Sequence, residues 1–253
     1  MDPTYFPAGP EEAIARANAA GVGGFVVIGV GKDLSQARAA VRLAEKSPAT
    51  MAAAVGIHPH DATSLDDATF AELRELGARK DVVAIGEIGL DYHYDHSPRD
   101  VQRETFRRLV GLAGELKKPI VIHTREAADD TIDILRNENA RDVGGVIHCF
   151  SEDRAFAEKA LDLGFYVSFS GIVTFKKTTA IQDVAQWAPA DRILVETDSP
   201  YLAPIPMRGK PCEPAYVVHT AKRVAELRGI PFEALVEATA ENTERLFRRS
   251  FGA

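Results

Sequence analysis

Seven short apolar runs, spaced along the chain and separated by longer stretches with helical periodicity, constrain this sequence more than any other feature. The runs are GFVVIGV (24–30), MAAAVGI (51–57), VVAIGEI (82–88), PIVIHT (119–124), GGVIHCF (144–150), FYVSFSG (165–171) and RILVETD (192–198). Apolar residues recur at helical spacing between them, over 10–20, 34–46, 67–79, 98–116, 127–138, 153–163 and 178–187. Such β-α alternation predicts a parallel sheet covered by helices. Two further helical segments, 214–228 and 231–249, follow without an intervening strand. Ser97 before Pro98 is the expected N-cap of the fourth helix, and Gly229 the expected stop before Pro231. With 253 residues, 45% of them hydrophobic, and no compositional break, one domain over 1–253 is expected.

The polar residues select among parallel architectures. Glu87, His123, His148 and Asp198 fall at the C-terminal ends of four different runs, and His58 lies just past a fifth. Strand alternation gives Glu87 the parity of Val83 and Ile85, and His123 that of Val121. Polar side chains converging from many strand ends are what the C-terminal face of a barrel offers, so the expected fold is an α/β, TIM-like (β/α) barrel. Seven strands are predicted rather than eight. Residues 1–9 (MDPTYFPAG) hold turn formers where a first strand is expected. A missing first strand leaves two edges beside the gap, so a seam or a substitute closure is expected there.

Two imidazoles and two carboxylates in one mouth form a nitrogen and oxygen donor set suited to Zn²⁺, Mn²⁺, Co²⁺ or Mg²⁺. Any of these ions polarises a phosphoryl or carbonyl oxygen and lowers the pKa of water. Competing chemistries are weaker. Ser199 has no Gly-x-Ser-x-Gly elbow, GVGK (29–32) lacks the full phosphate-loop spacing, and alternation aims Cys149 away from His148. A formal net charge of −7 excludes a globally basic nucleic-acid surface, leaving only a local basic rim. Two cysteines, and an N-terminus with neither a basic head nor an apolar run, lead to the expectation of a cytoplasmic protein without a membrane segment.

Several motifs then carry a resemblance. VGIHPH (55–60), GEIGLDY (86–92), PIVIHTRE (119–126), GVIHCFS (145–151), VSFSG (167–171), ILVETDSPYLAP (193–204) and the closing GIPFEALVEATAENTERLF (229–247) resemble, in order, the signatures of the TatD family of metal-dependent deoxyribonucleases. The resemblance implies a TIM-like barrel, one or two divalent ions (Mg, Mn or Zn), and hydrolysis of DNA phosphodiesters, single-stranded or at 3′ ends, in the 3′–5′ direction. It also implies metal ligation by Glu87, His123, His148 and Asp198, with Glu87 shared between two ions. Glu87, Asp198 and His58 are the expected catalytic set. His58, His60, Asp91, Arg125 and Arg208 are the expected substrate contacts. The sequence departs from the pattern in three places. The Asp-x-His-x-His strand that opens the family, and whose histidines hold the first metal, is not found, because Met1 falls just after it. Glu152 stands where a Gly is usual, and Cys212 where an Asn is usual. Two other readings stay open: a metal hydrolase of a small amide, ester or lactone, and a catalytically weakened binding protein.

Overall fold

The computed structural model describes Phe6 and residues 9–252. Seven strands occur among the described residues: β1 Phe25–Val30, β2 Met51–Gly56, β3 Val82–Asp91, β4 Ile120–Arg125, β5 Gly145–Ile147, β6 Tyr166–Phe169 and β7 Ile193–Val195. The helices are α1 Pro10–Ala19, α2 Ser35–Lys46, α3 Asp67–Ala78, α4 Arg99–Leu116, α5 Ala128–Asn137, α6 Arg154–Asp162, α7 Thr179–Trp187, α8 Val217–Arg228 and α9 Phe232–Phe247. Every predicted run and helical segment has its element, within a few residues. The expectation for the opening segment falls mostly on residues 1–5 and 7–8, outside those described.

The chain divides into two compact units. The first unit to be described comprises 24–148, 159–165 and 244–253. In it β1 to β5 pair in parallel and in chain order. Every residue of β2 and β3 is buried. Strands buried on both faces read as continuous apolar runs rather than alternating ones, which is why these segments stood out in the sequence. On α4, Phe106, Leu109, Val110 and Ala113 form a buried stripe at helical spacing, while Arg107 and Glu115 on other faces remain exposed.

Two expectations need correction in this unit. Ser97 does not cap α4; Pro98 is the N-cap and there is no side-chain cap bond. The Ser97 hydroxyl instead donates to the His60 carbonyl at 2.9 Å, tying the segment before α4 to the turn after β2. Simple alternation also fails at Glu87. Gly86 and Ile88 pair with the consecutive residues Val121 and Ile122, so Glu87 is the extra residue of a bulge, and its parity does not continue from Val83 and Ile85. The Gly86–Glu87 peptide bond is cis.

Close backbone approach accompanies the bulge. Gly89 has φ +143°, and a Cβ there would meet the His123 carbonyl oxygen at 2.0 Å. A clash with a hydrogen-bonded backbone cannot be relieved by a rotamer change. Gly89→Ala is therefore expected to destabilise the chain by about 3 kcal/mol or more, or roughly 6–12 °C in Tm for a chain of this size. Thermal denaturation measures this directly; a shift below about 2 °C would contradict the packing described.

The other unit comprises 1–23, 149–158 and 166–243. Here β6 and β7 pair in parallel, Val167 opposite Ile193. Asn242 of α9 donates to the carbonyls of Ala190 and Ile193 at 2.8 and 2.9 Å, which fixes the entry into β7. Gly229 ends α8 as expected, in the left-handed region at φ 65°, with Ile230 N–H returning to the Ala225 carbonyl.

Candidate metal centre

Glu87 is the hub of a side-chain cluster in the β1–β5 unit. Its Oε1 lies 2.9 Å from His123 Nδ1, 3.7 Å from His58 Nε2 and 3.9 Å from His148 Nε2. One ligand atom each from His58, Glu87 and His123 can be chosen so that all lie within 4.8 Å of one another. The β3 bulge delivers the carboxylate, the C-terminal half of β4 delivers His123, His58 lies two residues past β2, and His148 follows β5 directly. Burial alone would raise the Glu87 pKa. The positive charge available on His148, the His123 hydrogen bond and the charge available on His58 outweigh it, holding Glu87 well below the usual carboxylate range.

A second carboxylate completes the cluster. Asp91 is buried, and its Oδ2 accepts from His60 Nε2 and His123 Nε2, both at 3.0 Å. Its Oδ1 accepts the backbone N–H groups of His93 (3.0 Å) and Tyr94 (2.9 Å). Against the raising effect of burial, the His123 bond, the Tyr94 N–H and the His60 bond keep Asp91 ionised far below its ordinary value. Its main chain is equally constrained. Buried Gln102 on α4 accepts the Asp91 N–H at 2.8 Å and donates to the Asp91 carbonyl at 3.0 Å.

The imidazoles titrate in opposite directions. Burial would lower His123, but its bonds to Asp91 and Glu87 and their charges raise it to about 9. His58 is lowered to about 4 by burial, against the attraction of Glu87 and with repulsion from His123. Its Nδ1 accepts the backbone N–H of His60 at 3.2 Å, and its Nε2, the atom facing the cluster, lies 3.3 Å from His123 Nδ1.

Arg125 closes β4, and its guanidinium carbon lies 4.8 Å from the centroid of the Tyr94 ring. The remaining expected residues lie in the other unit. Asp198 follows β7, its carbonyl accepting Tyr201 N–H at 2.6 Å. The Arg208 guanidinium sits 4.1 Å above the Phe175 ring. Glu196 was not singled out in the sequence, yet its Oε2 accepts the Ser168 hydroxyl at 2.6 Å and its Oε1 accepts Cys149 N–H at 2.9 Å. The Cys149 thiol lies 3.0 Å from the Ser170 hydroxyl, and Cys149 adopts φ 45° beyond the end of β5, where strand alternation no longer governs direction. Cys212, the residue in place of the usual Asn, is buried, which pushes its thiol up to about 11. Gln102, Tyr94 and His96 also escaped sequence reasoning; the only signal for them was their proximity to GEIGLDY.

A family model described as TatD related DNase matches residues 1–248. The chain belongs to the TatD family. It is 44% identical over 238 residues to the metal-dependent hydrolase YabD of Bacillus subtilis (strain 168), covering 94% of this chain and 92% of that one. It is 34% identical over 244 residues to a Rahnella sp. (strain Y9602) protein named 3′-5′ ssDNA/RNA exonuclease TatD, with 94% and 92% covered. Among solved structures, YJJV, a TatD homolog from Escherichia coli K12, superposes with a TM-score of 0.88 at 28% identity, covering 94% of this chain and 92% of that one. The structural neighbours are TIM-barrel-like, the fold class expected from the strand rhythm. The protein is a TatD-family metal-dependent hydrolase. Among the described residues, no helix is long and apolar enough to cross a membrane.

Proposed function

We propose that this hydrolase is a 3′–5′ exonuclease of single-stranded DNA, working at the Glu87 cluster in the cytoplasm. The observation that carries the reading is the convergence of three imidazoles on one oxygen of a buried carboxylate, Glu87 Oε1. A buried carboxylate with nitrogen donors around it is a fitting donor set for a divalent cation such as Mg²⁺, Mn²⁺ or Zn²⁺. The nucleic-acid substrate is supported by the Rahnella relative's name and by the family motifs.

The tautomers distribute the roles. His123 meets Glu87 through Nδ1 while Asp91 holds Nε2, so a deprotonated Nδ1 is its ligand atom and Asp91 fixes the ring from behind. His58 presents an N–H rather than a lone pair to the cluster, because its Nδ1 already accepts from His60. The ligand set of the β1–β5 unit is therefore Glu87, His123 and His148, with His58 serving as a hydrogen-bond donor to a phosphoryl oxygen; for Asp198 the family motif alone supports a role as a further carboxylate ligand. A divalent ion bound there would supply Lewis-acid polarisation and lower the pKa of water. Arg125 and His60 would contact phosphates, and the family motifs support Asp198 as the group that orients or deprotonates water and Arg208 as a further phosphate contact.

The test uses single-stranded DNA labelled at its 5′ end, with Mg²⁺ or Mn²⁺. Stepwise shortening from the 3′ end is expected, lost on chelation and blocked by a 3′-terminal phosphorothioate linkage. Metal-dependent hydrolysis of esters or lactones without any DNA cleavage would reject the nuclease assignment and leave the hydrolase.

A further inference from the structure

We infer that Tyr94, backed by His96, is a stacking platform for a nucleobase beside the cleaved bond; this rests on the nuclease reading above. Tyr94 is among the few large apolar side chains that remain exposed, at 52%. An exposed aromatic ring is ordinarily unremarkable, but this one is held from several sides. Its backbone N–H is bonded to Asp91 Oδ1 at 2.9 Å. Its ring lies parallel to His96, 5.5 Å between centroids and 3° between planes, and meets His60 edge-on at 5.5 Å. The Arg125 guanidinium carbon stands 4.8 Å from its centroid.

The carboxylate that orders the Tyr94 loop is thus the same one that holds His60 and His123. From Tyr94 to His123 there are two ring-to-ring steps, 5.5 Å to His60 and 6.2 Å onward. A fixed, half-exposed aromatic side chain at that separation suits the base of a nucleotide whose phosphate reaches the cluster. The neighbouring charges agree. Glu126 is engaged by His93 Nδ1 at 2.7 Å and Asp95 by Arg99 at 2.7 Å, so neither of these carboxylates takes up the Arg125 guanidinium, which lies over the Tyr94 ring with N–H groups to offer a phosphate. Stacking on Tyr94 is sequence-tolerant, because every base has a π-face.

The experiment compares the full chain with Tyr94→Phe and Tyr94→Ala. The substrates are single strands with a base, or an abasic residue, at either nucleotide flanking the cleaved bond. Tyr94→Ala is expected to raise KM about 10-fold on the base-bearing strand with little change in kcat, and to leave KM on the abasic strand unchanged. Tyr94→Phe is expected to behave as the parent chain. Fluorescence of 2-aminopurine at either flanking position, measured during metal-free binding, should be quenched by the parent chain and by Tyr94→Phe but not by Tyr94→Ala. An equal KM rise on both strands, or quenching that survives Tyr94→Ala, would overturn the platform while leaving the nuclease intact. A parent chain that neither cleaves nor binds single-stranded DNA would overturn the nuclease reading, and the platform with it.

Discussion

Glu87→Gln is expected to lower metal-dependent hydrolysis by about 1,000-fold or more and to abolish stabilisation by metal. Gln preserves the shape of the side chain and an oxygen acceptor for His123, so the bulge and the ring positions should persist. What disappears is the negative charge at the point where His123, His58 and His148 converge. A divalent cation left with only neutral donors at this point of the cluster loses its main electrostatic partner, and rate losses of this order follow when charge stabilisation is removed from a reacting site. In the parent chain, Mn²⁺ at 100 times its Kd should add about 2.7 kcal/mol of stability, roughly 5–10 °C in Tm at this size. That upshift should vanish in Glu87→Gln. The same assay separates the two imidazoles that approach Glu87 from opposite roles. His148→Ala should lose the upshift, whereas His58→Ala should keep most of it while losing activity. Retention of a tenth of parental activity by Glu87→Gln, or an unchanged upshift, would remove Glu87 from the centre of the site.

The sequence could announce this site because its carriers sit at the ends of buried strands, and buried parallel strands are legible as apolar runs. Glu87, His123 and His148 each interrupt or follow such a run, where a polar residue must have a partner. The direction in which they point was less legible. Alternation fails along β3 because its register shifts against both neighbours, Val83 being skipped in the pairing with β2 and Glu87 in the pairing with β4, and such shifts depend on the partner strands and not on the local sequence. Alternation does not reach Cys149, which lies past β5 in a left-handed conformation. Ser97 illustrates a competing use. Its position before Pro98 suited a cap, but the His60 carbonyl, 37 residues away, takes its hydroxyl.

Second partners were the least visible. Asp91 read as a substrate contact in the sequence, whereas its side chain joins His60, His123 and the loop amides of His93 and Tyr94. Gln102 lies within a helix whose pattern explains it as one more buried position, and only the fold brings its amide against the Asp91 main chain. Tyr94 and His96 belong to a polar stretch with no periodicity. Their meaning comes from the Asp91 bonds that fold the stretch back over the cluster. Residues of this kind act through tertiary distance, which spacing along the chain does not encode.

Asp91 and His123 together lead to the second large effect, a proton linked to metal binding. In the metal-free chain His123 is raised to about 9, after burial is outweighed by Asp91 and Glu87, so at neutral pH it is an imidazolium donating to both carboxylates. A histidine raised above its unfolded value stabilises the folded chain fully below about pH 6.5 and loses that contribution as pH rises through 9. The metal-free Tm is therefore expected to fall across pH 6.5–9. Metal binding runs the other way, because Nδ1 must shed its proton before it can ligate. Apparent Mn²⁺ affinity should climb about tenfold per pH unit below 9 and level off above it, with one proton released per ion. Asp91→Asn tests the cause. The Asn oxygen still accepts the His93 and Tyr94 amides, but the new NH₂ cannot accept from His60 or His123. His123 should then titrate lower, moving the plateau to lower pH, while the plateau affinity itself drops by roughly 10- to 100-fold as the ring loses the carboxylate behind it. Calorimetric titration with Mn²⁺ between pH 6 and 9.5 measures both quantities. A pH-independent affinity in the parent chain would mean that His123 is not a ligand, and an unchanged plateau in Asp91→Asn would mean that Asp91 does not orient it.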